Sequence, residues 1–376
     1  MLADIRPGDR CGVPSSGRDS AAKNLESDFA AIESGADTPY SKGAAVLILN
    51  AVDVLHALPM PLAIDAMKQA FAAFSDGKAL VPPRIPLPIA RHSGISLVMP
   101  SFVDGDTPEV QSFAVKVVSL FDGNPARGLA RIQAAVVVLE PDTGRPIALL
   151  DGAMLTAIRT AAASGAATDL LARRDCRTVA LFGAGVQAIT HLFAMCAVRP
   201  IEKVFVCSRT PSKVAALIAE FAGRPAIPAE LIAAESPQQA LADADIVCCT
   251  TSSQTPIFED ADLKPGVHIN AIGSYTPQAR EVPPETVRRA LVVVDSRHAA
   301  WEEAGDLIQP LQAGLIGREH IHAELGELVL GRQTRRADDR QVTFFKSVGL
   351  AVQDAVAARV ALENAVSLKL GQVVSW

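Results

Sequence analysis

Residues 178–192, TVALFGAGVQAITHL, join a strand-like apolar run to a helix-like one through Gly183, Ala184, Gly185, Val186, Gln187 and Ala188. A G-x-G-x-x-A run alone is a weak signal, because glycines also end strands for steric reasons. Here a strand precedes it, a helix opens from it, and a second strand-like run, KVFVCS, begins about twenty residues later, which is the context of a dinucleotide site. Gly183 permits the tight turn and Gly185 the close approach of backbone to pyrophosphate, while the helix N-terminus offers free N–H groups and the positive end of its dipole. Ala188, in place of a third glycine, still lets helix pack closely on strand. The end of the second strand discriminates between cofactors. NAD enzymes typically place Asp or Glu there for the ribose 2′-hydroxyl, whereas this chain has Ser208, Arg209 and Thr210, with Lys213 nearby. A guanidinium available to a 2′-phosphate, with no carboxylate to repel it, favours NADP(H) and leaves NAD(H) as the second choice. A solvated turn that carries an arginine by chance is the alternative.

Other cationic positions could take part in chemistry. Lys116 interrupts the apolar run SFAVKVVSLF. It reads either as an exposed edge-strand lysine or as a lysine whose desolvation in a pocket makes it a usable proton donor. Arg84 stands between stiffening prolines in LVPPRIPLP, an arrangement suited to a bidentate carboxylate contact and equally to a surface loop. Arg159 and Thr160 lie among alanines in a long helix just before the glycine run, which suggests a phosphate or domain-junction role. No nucleophile elbow, zinc-protease motif or P-loop accompanies them. His320-x-His322, followed by Glu324, does not place both imidazoles on one helix face, so a loop or surface reading is preferred and no metal is expected.

The elements that must position these groups follow from periodicity. A chain of 376 residues, 49% apolar and 20% charged, can build a sizeable core. The net charge of −6, with no Lys/Arg run longer than two, excludes nucleic acid and anionic membranes as expected partners. The six cysteines show no metal-type spacing and read as small buried hydrophobes. No secretory h-region or long apolar span is evident, so a cytoplasmic enzyme is expected. Residues 1–42 read as a flexible arm. After a strand AAVLILN and a helix PLAIDAMKQAFAAFSDG, the runs ISLVMPSF, SFAVKVVSLF, RIQAAVVVLEP and RPIALLDG predict an antiparallel or mixed sheet. From Thr178 onward strands alternate with helices, which predicts a parallel sheet. The last amphipathic stretch, SVGLAVQDAVAARVALENAV, is expected to return to the first domain. The fold class is α/β: a Rossmann domain over residues 159–343 and an α+β substrate and dimerisation domain from residues 43–158 and 344–376.

The fragments DGAMLTAIRTAAASGAATDLLAR, LFGAGVQA, GVHINAIGSYTPQAREV, EAGDL and FKSVGLAVQD, in this order over residues 45–365, resemble the ornithine cyclodeaminase/mu-crystallin family. The resemblance implies a homodimer and hydride exchange between a nicotinamide and a small imino or amino acid. Members of the family reduce cyclic imines, oxidise amino acids, or cyclise ornithine to proline with release of ammonia. Carried over by motif, Arg84 and Lys116 match the pair that holds the substrate carboxylate, with Lys116 also near the reacting carbon. Arg159, Val186, Gln187, Ser208, Thr251 and Ile272 match cofactor contacts. Two positions depart from ornithine cyclodeaminases: Tyr275 stands where they carry an aspartate and Leu97 where they carry a glutamate. Without those carboxylates a second substrate ammonium would be left buried and unpaired, which is costly. The resemblance therefore points to an NADPH-dependent reductase of Δ1-pyrroline-2-carboxylate or Δ1-piperideine-2-carboxylate, with Leu97 and Tyr275 at the substrate pocket. Ornithine cyclodeaminase, then an alanine-type amino acid dehydrogenase, then a non-catalytic mu-crystallin-like binder of NADPH and a small hydrophobic ligand are the other readings.

Overall fold

The computed structural model describes residues 45–105 and 110–375, so the arm expected over residues 1–42 lies outside the described residues. The first unit contains β1 (Ala45–Leu49), α1 (Ala51–Ala57), α2 (Met60–Ser75), β2 (Ala79–Leu80), β3 (Ile85–Ile89), β4 (Gly94–Val103), β5 (Ser112–Phe121), β6 (Ile132–Leu139), β7 (Pro146–Asp151) and α3 (Gly152–Leu171). The second contains β8 (Thr178–Phe182), α4 (Val186–Val198), β9 (Lys203–Cys207), α5 (Pro211–Phe221), β10 (Glu230–Ala233), α6 (Pro237–Leu241), β11 (Ile246–Cys249) and β12 (His268–Ala271). It continues through α7 (Pro284–Arg289), β13 (Leu291–Val294), α8 (Arg297–Glu303), α9 (Gly305–Gln312), β14 (Ile321–Glu324), α10 (Leu325–Val329) and β15 (Thr343–Lys346). The chain closes with α11 (Ala351–Ser367) and β16 (Gln372–Ser375).

The first sheet runs β16-β1-β7-β6-β5-β4-β2, with β3 also on β4, and its pairs are antiparallel except β1 with β7. Alternation along β5 sends Ser112, Ala114, Lys116 and Val118 inward, where they are buried, and Val117 outward. The inner face packs on α2, α3 and α11 around Phe71, Val136, Leu150 and Val356. The second sheet is wholly parallel, in the order β10-β9-β8-β11-β12-β15-β13-β14. Its strands IVCC and LVVV are almost fully buried, as expected when helices cover both faces.

Helix α3 is buried on nearly all sides because its Ala, Ser and Gly run lets neighbours approach closely; a Cβ at Gly165 would come within 2.8 Å of Ile64. Asp151 caps its start by accepting the Met154 N–H at 2.7 Å, and Arg199 donates to the carbonyls of Thr168, Asp169 and Ala172 at its end. The boundary read at 158/159 falls inside this unbroken helix, whose Leu155 and Ile158 enter the first core while Ala161 enters a core of the second unit. The boundary read at 343/344 falls inside β15, which is hydrogen-bonded between β12 and β13, so the parallel sheet reaches Lys346. Periodicity cannot locate either point, since a helix shared by two cores and a fully buried strand carry no marker of which unit they serve.

Candidate active site

The carboxyl ends of β8, β11, β12 and β15 open onto one trough, the usual place for a ligand in an open α/β sheet. At its first end is a cavity of about 480 Å³ lined by Gly183, Ala184, Gly185, Ser208, Arg209 and Thr210, with Lys213 beside them. Gly183 has φ +115°, and a Cβ there would lie 2.6 Å from Thr250 Oγ1, so both conformation and space require glycine. Gly185 is the N-cap of α4 and supplies no side-chain cap, which leaves the first N–H groups of that helix available to a ligand. None of the described residues lining this cavity is acidic. The residues present fit a dinucleotide: a free helix N-terminus for pyrophosphate and hydroxyl and cationic groups at the end of β9. Val186, the first residue of α4, is 54% exposed.

Through Thr250, Thr251 and Ser252 this cavity continues into a second, of about 360 Å³, which brings together Arg159, Thr160, Gln187, Thr251, Ile272 and Tyr275. Gln187 Oε1 is buried without a hydrogen-bond partner among the described residues. Tyr275 is 43% exposed, with its hydroxyl 3.5 Å from Arg131. Gly349 then joins this cavity to a recess of about 210 Å³ around Arg84. Arg84 donates to the Gly349 carbonyl at 2.7 Å and faces the Glu303 carboxylate at 3.3 Å. Asp295, at the end of β13, holds the 347–349 turn by accepting from Ser347 Oγ and from the Val348 and Gly349 N–H groups. Leu97, expected at the substrate pocket, packs against the cluster of Met99, Val118 and Ala351 and is not among the residues lining these three cavities.

Lys116 is 2% exposed, between Met99 of β4 and Val136 of β6, which rules out the exposed edge-strand reading. Its ammonium meets Asp354 Oδ2 at 2.5 Å, and the other Asp354 oxygen accepts from Arg159 Nε at 2.9 Å. Gln353 Oε1 accepts from the same guanidinium at 3.1 Å. Burial lowers the Lys116 pKa to about 8, with Asp354 opposing and Arg159 and Arg84 reinforcing the shift. Burial works against the Asp354 carboxylate, but Arg159 and Lys116 outweigh it and hold that carboxyl below the usual range. A buried ammonium poised near neutrality can hold or deliver a proton.

Sequence reasoning overlooked Asp354, Gln353 and Glu303, and beyond them a second buried set, Glu281, Asp306 and Lys346. The available signal was a polar residue at an apolar position: Lys346 ends the buried strand TFFK, and Gln353 and Asp354 interrupt the buried face of α11. His320 and His322 face different carbonyls, those of Val287 and Thr334.

The model of the ornithine cyclodeaminase/mu-crystallin family matches residues 45–369. A Δ1-pyrroline-2-carboxylate reductase of Bacillus cereus is 38% identical over 335 residues, covering 88% of this chain and 100% of that protein. The structure of Thermococcus litoralis Δ1-pyrroline-2-carboxylate reductase in complex with NADH and L-proline gives a TM-score of 0.82 at 38% identity, covering 87% of this chain and 99% of that one. An archaeal alanine dehydrogenase dimer with bound NAD gives 0.79 at 31% identity, over 88% and 99% of the two chains. With its trough at the ends of a parallel sheet and a family match over nearly all of its described residues, this chain belongs to the ornithine cyclodeaminase/mu-crystallin family.

Proposed function

We propose that this chain is an oxidoreductase acting on C–N bonds that reduces a cyclic ketimine carboxylate, Δ1-pyrroline-2-carboxylate or Δ1-piperideine-2-carboxylate, to proline or pipecolate with NADPH. The observation that carries this reading is the buried Lys116–Asp354–Arg159 set, whose Arg159 lines the cavity that continues to Gly183 and whose Lys116 feels the charge of Arg84. A nicotinamide bound along the trough supplies the hydride for the imine carbon. Gly183, Ala184, Gly185 and Val186 would hold the pyrophosphate, and Arg159, Thr160, Gln187, Thr251 and Ile272 the nicotinamide half. Ser208, Arg209 and Thr210 would hold the adenosine ribose, and the lack of an acidic residue among those described there supports NADP(H) over NAD(H).

Arg84 anchors the substrate carboxylate, which competes with Glu303 for the same guanidinium. Burial pushes the Glu303 carboxyl up, against the pull of Arg84, so this carboxylate is displaced more easily than a solvated one. Lys116, protonated at neutral pH, keeps the ring nitrogen protonated as the carbon is reduced, which asks the protein for orientation and one proton. Tyr275 brings no charge to the cavity it lines, which weighs against a diamino acid substrate, whereas the Arg84 recess carries Glu302 and Glu303 and so weighs the other way. Ile85, Leu87, Val117, Ile132 and Leu149 are exposed on the first unit and support a homodimer that covers them. No described helix is long and apolar enough to cross a membrane.

The test is loss of reduced-nicotinamide absorbance with both cyclic imines, run beside an ammonia assay with L-ornithine and catalytic NAD. Imine-dependent oxidation without ammonia from ornithine is expected. Ammonia and proline from ornithine would overturn the reading in favour of a cyclodeaminase, and Michaelis constants lower for NADH than for NADPH would overturn the cofactor assignment.

A further inference from the structure

Glu281 is fully buried, yet it touches neither Arg84 nor Lys116 and has no part in the reaction described above. One of its oxygens accepts from the Thr251 N–H at 2.6 Å and from the Thr251 hydroxyl at 2.7 Å. The other accepts from the Gly273 N–H at 2.7 Å. Thr251 follows β11 and Gly273 follows β12, and both line the cavity assigned to the nicotinamide. A Cβ at Gly273 would collide with the Thr251 carbonyl and would reach the Glu281 carboxylate, so the two loops close directly on this side chain. Behind it, Asp306 accepts from the Glu281 and Val282 N–H groups and pairs with Lys346 at 3.2 Å, and Lys346 donates to the Ala271 carbonyl.

We propose that Glu281 is a positioning residue for the cofactor: its carboxylate clamps the loops at Thr251 and Gly273 together and so shapes the nicotinamide cavity. The proposal rests on the reading of that cavity as the nicotinamide site. Three donors converge on two oxygens, and the clamp is strongest in the ionised form, because protonation removes the charge that strengthens all three hydrogen bonds. The groups that face the carboxyl set its ionisation. Burial and Asp306 of α9 raise its pKa to about 7, while Lys346 of β15 and the Thr251 bonds oppose them, and Cys249 of β11 is buried nearby with its thiol well above the usual range. The clamp therefore holds above about pH 7 and loosens as the pH falls through that value.

The test measures the dissociation constant of NADH, which has no 2′-phosphate to titrate, by nicotinamide fluorescence on the full chain without substrate, from below pH 7 to above pH 8. The wild type should lose roughly tenfold in affinity on acidification, the scale of charge-assisted hydrogen bonds. Glu281→Gln should bind weakly at every pH, with a flat profile. Asp306→Asn keeps the oxygen that accepts the two N–H groups and removes the charge that raises Glu281, so the midpoint should move to lower pH. No binding of NADH or NADPH by the wild type would overturn the reading of the cavity and the clamp with it. A wild type that binds, with a pH profile that Glu281→Gln reproduces, would overturn the clamp alone, because a merely structural role would change thermal stability without removing that profile. A midpoint that Asp306→Asn leaves in place would also overturn it.

Discussion

Two buried charge sets border the same trough and carry opposite surpluses. Lys116 and Arg159 share Asp354, leaving one positive charge in excess, whereas Glu281 and Asp306 share Lys346, leaving one negative. In each set the residue brought near neutrality has the sign of the surplus: Lys116 comes down to about 8 and Glu281 rises to about 7. The cause is common to both. Burial disfavours the charged form and a like-charged neighbour adds to that, while the single counter-ion offsets only part of the effect. The first surplus adds to the positive charge of Arg84, where a substrate carboxylate would be welcome, and the second is answered by N–H and hydroxyl donors of the loops after β11 and β12.

The comparison breaks most sharply at Lys116. Lys116→Met removes the proposed proton donor and should lower kcat by about 10²- to 10⁴-fold, the usual worth of a positioned acid, while NADPH binding persists. Near-normal turnover would remove Lys116 from the chemistry. Removing each counter-ion comes next. Asp354→Asn leaves two buried cations and Lys346→Met two buried carboxyls, and each should cost about 3–5 kcal/mol in denaturant unfolding. Their titrations should move in opposite directions, Lys116 further down in the first variant and Glu281 further up in the second. Equal displacements of the same sign would show that the surplus does not govern these groups.

The wild-type profile of kcat/KM should be bell-shaped. It should rise by roughly tenfold in all as Glu281 ionises through about pH 7 and fall, by a change approaching tenfold per pH unit, as Lys116 loses its proton through about pH 8. Lys116→Arg, if active, should extend the alkaline limb. The smallest effect is expected outside both sets. Arg209→Gln should raise the Michaelis constant for NADPH roughly tenfold and spare that for NADH, leaving both pH limbs in place.

Local chemistry was legible wherever a backbone requirement writes itself into residue type. Gly183 at positive φ and Gly185 at a helix start match the tight strand-to-helix turn that the glycine spacing predicts. The alternation of β5 and the small-residue run of α3 announced a two-faced strand and a closely packed helix. The partners of Lys116 and Arg84 were not legible, because Asp354 is 238 positions from Lys116 and Glu303 is 219 from Arg84. Nor was the C-terminal strand β16, which pairs with β1 across the whole length of the described chain.

By itself the sequence determined the parallel and mixed sheets, the glycine turn and the residue types at the end of β9, since these depend on periodicity, steric freedom and charge within a few neighbouring residues. Only the tertiary structure decided that Lys116 is buried against Asp354, that Arg84 meets Glu303, and that Glu281 joins the loops after β11 and β12. Those outcomes are set by desolvation and by charges brought together from distant segments, and the sum of charge around a buried group exists only once the chain has folded around it.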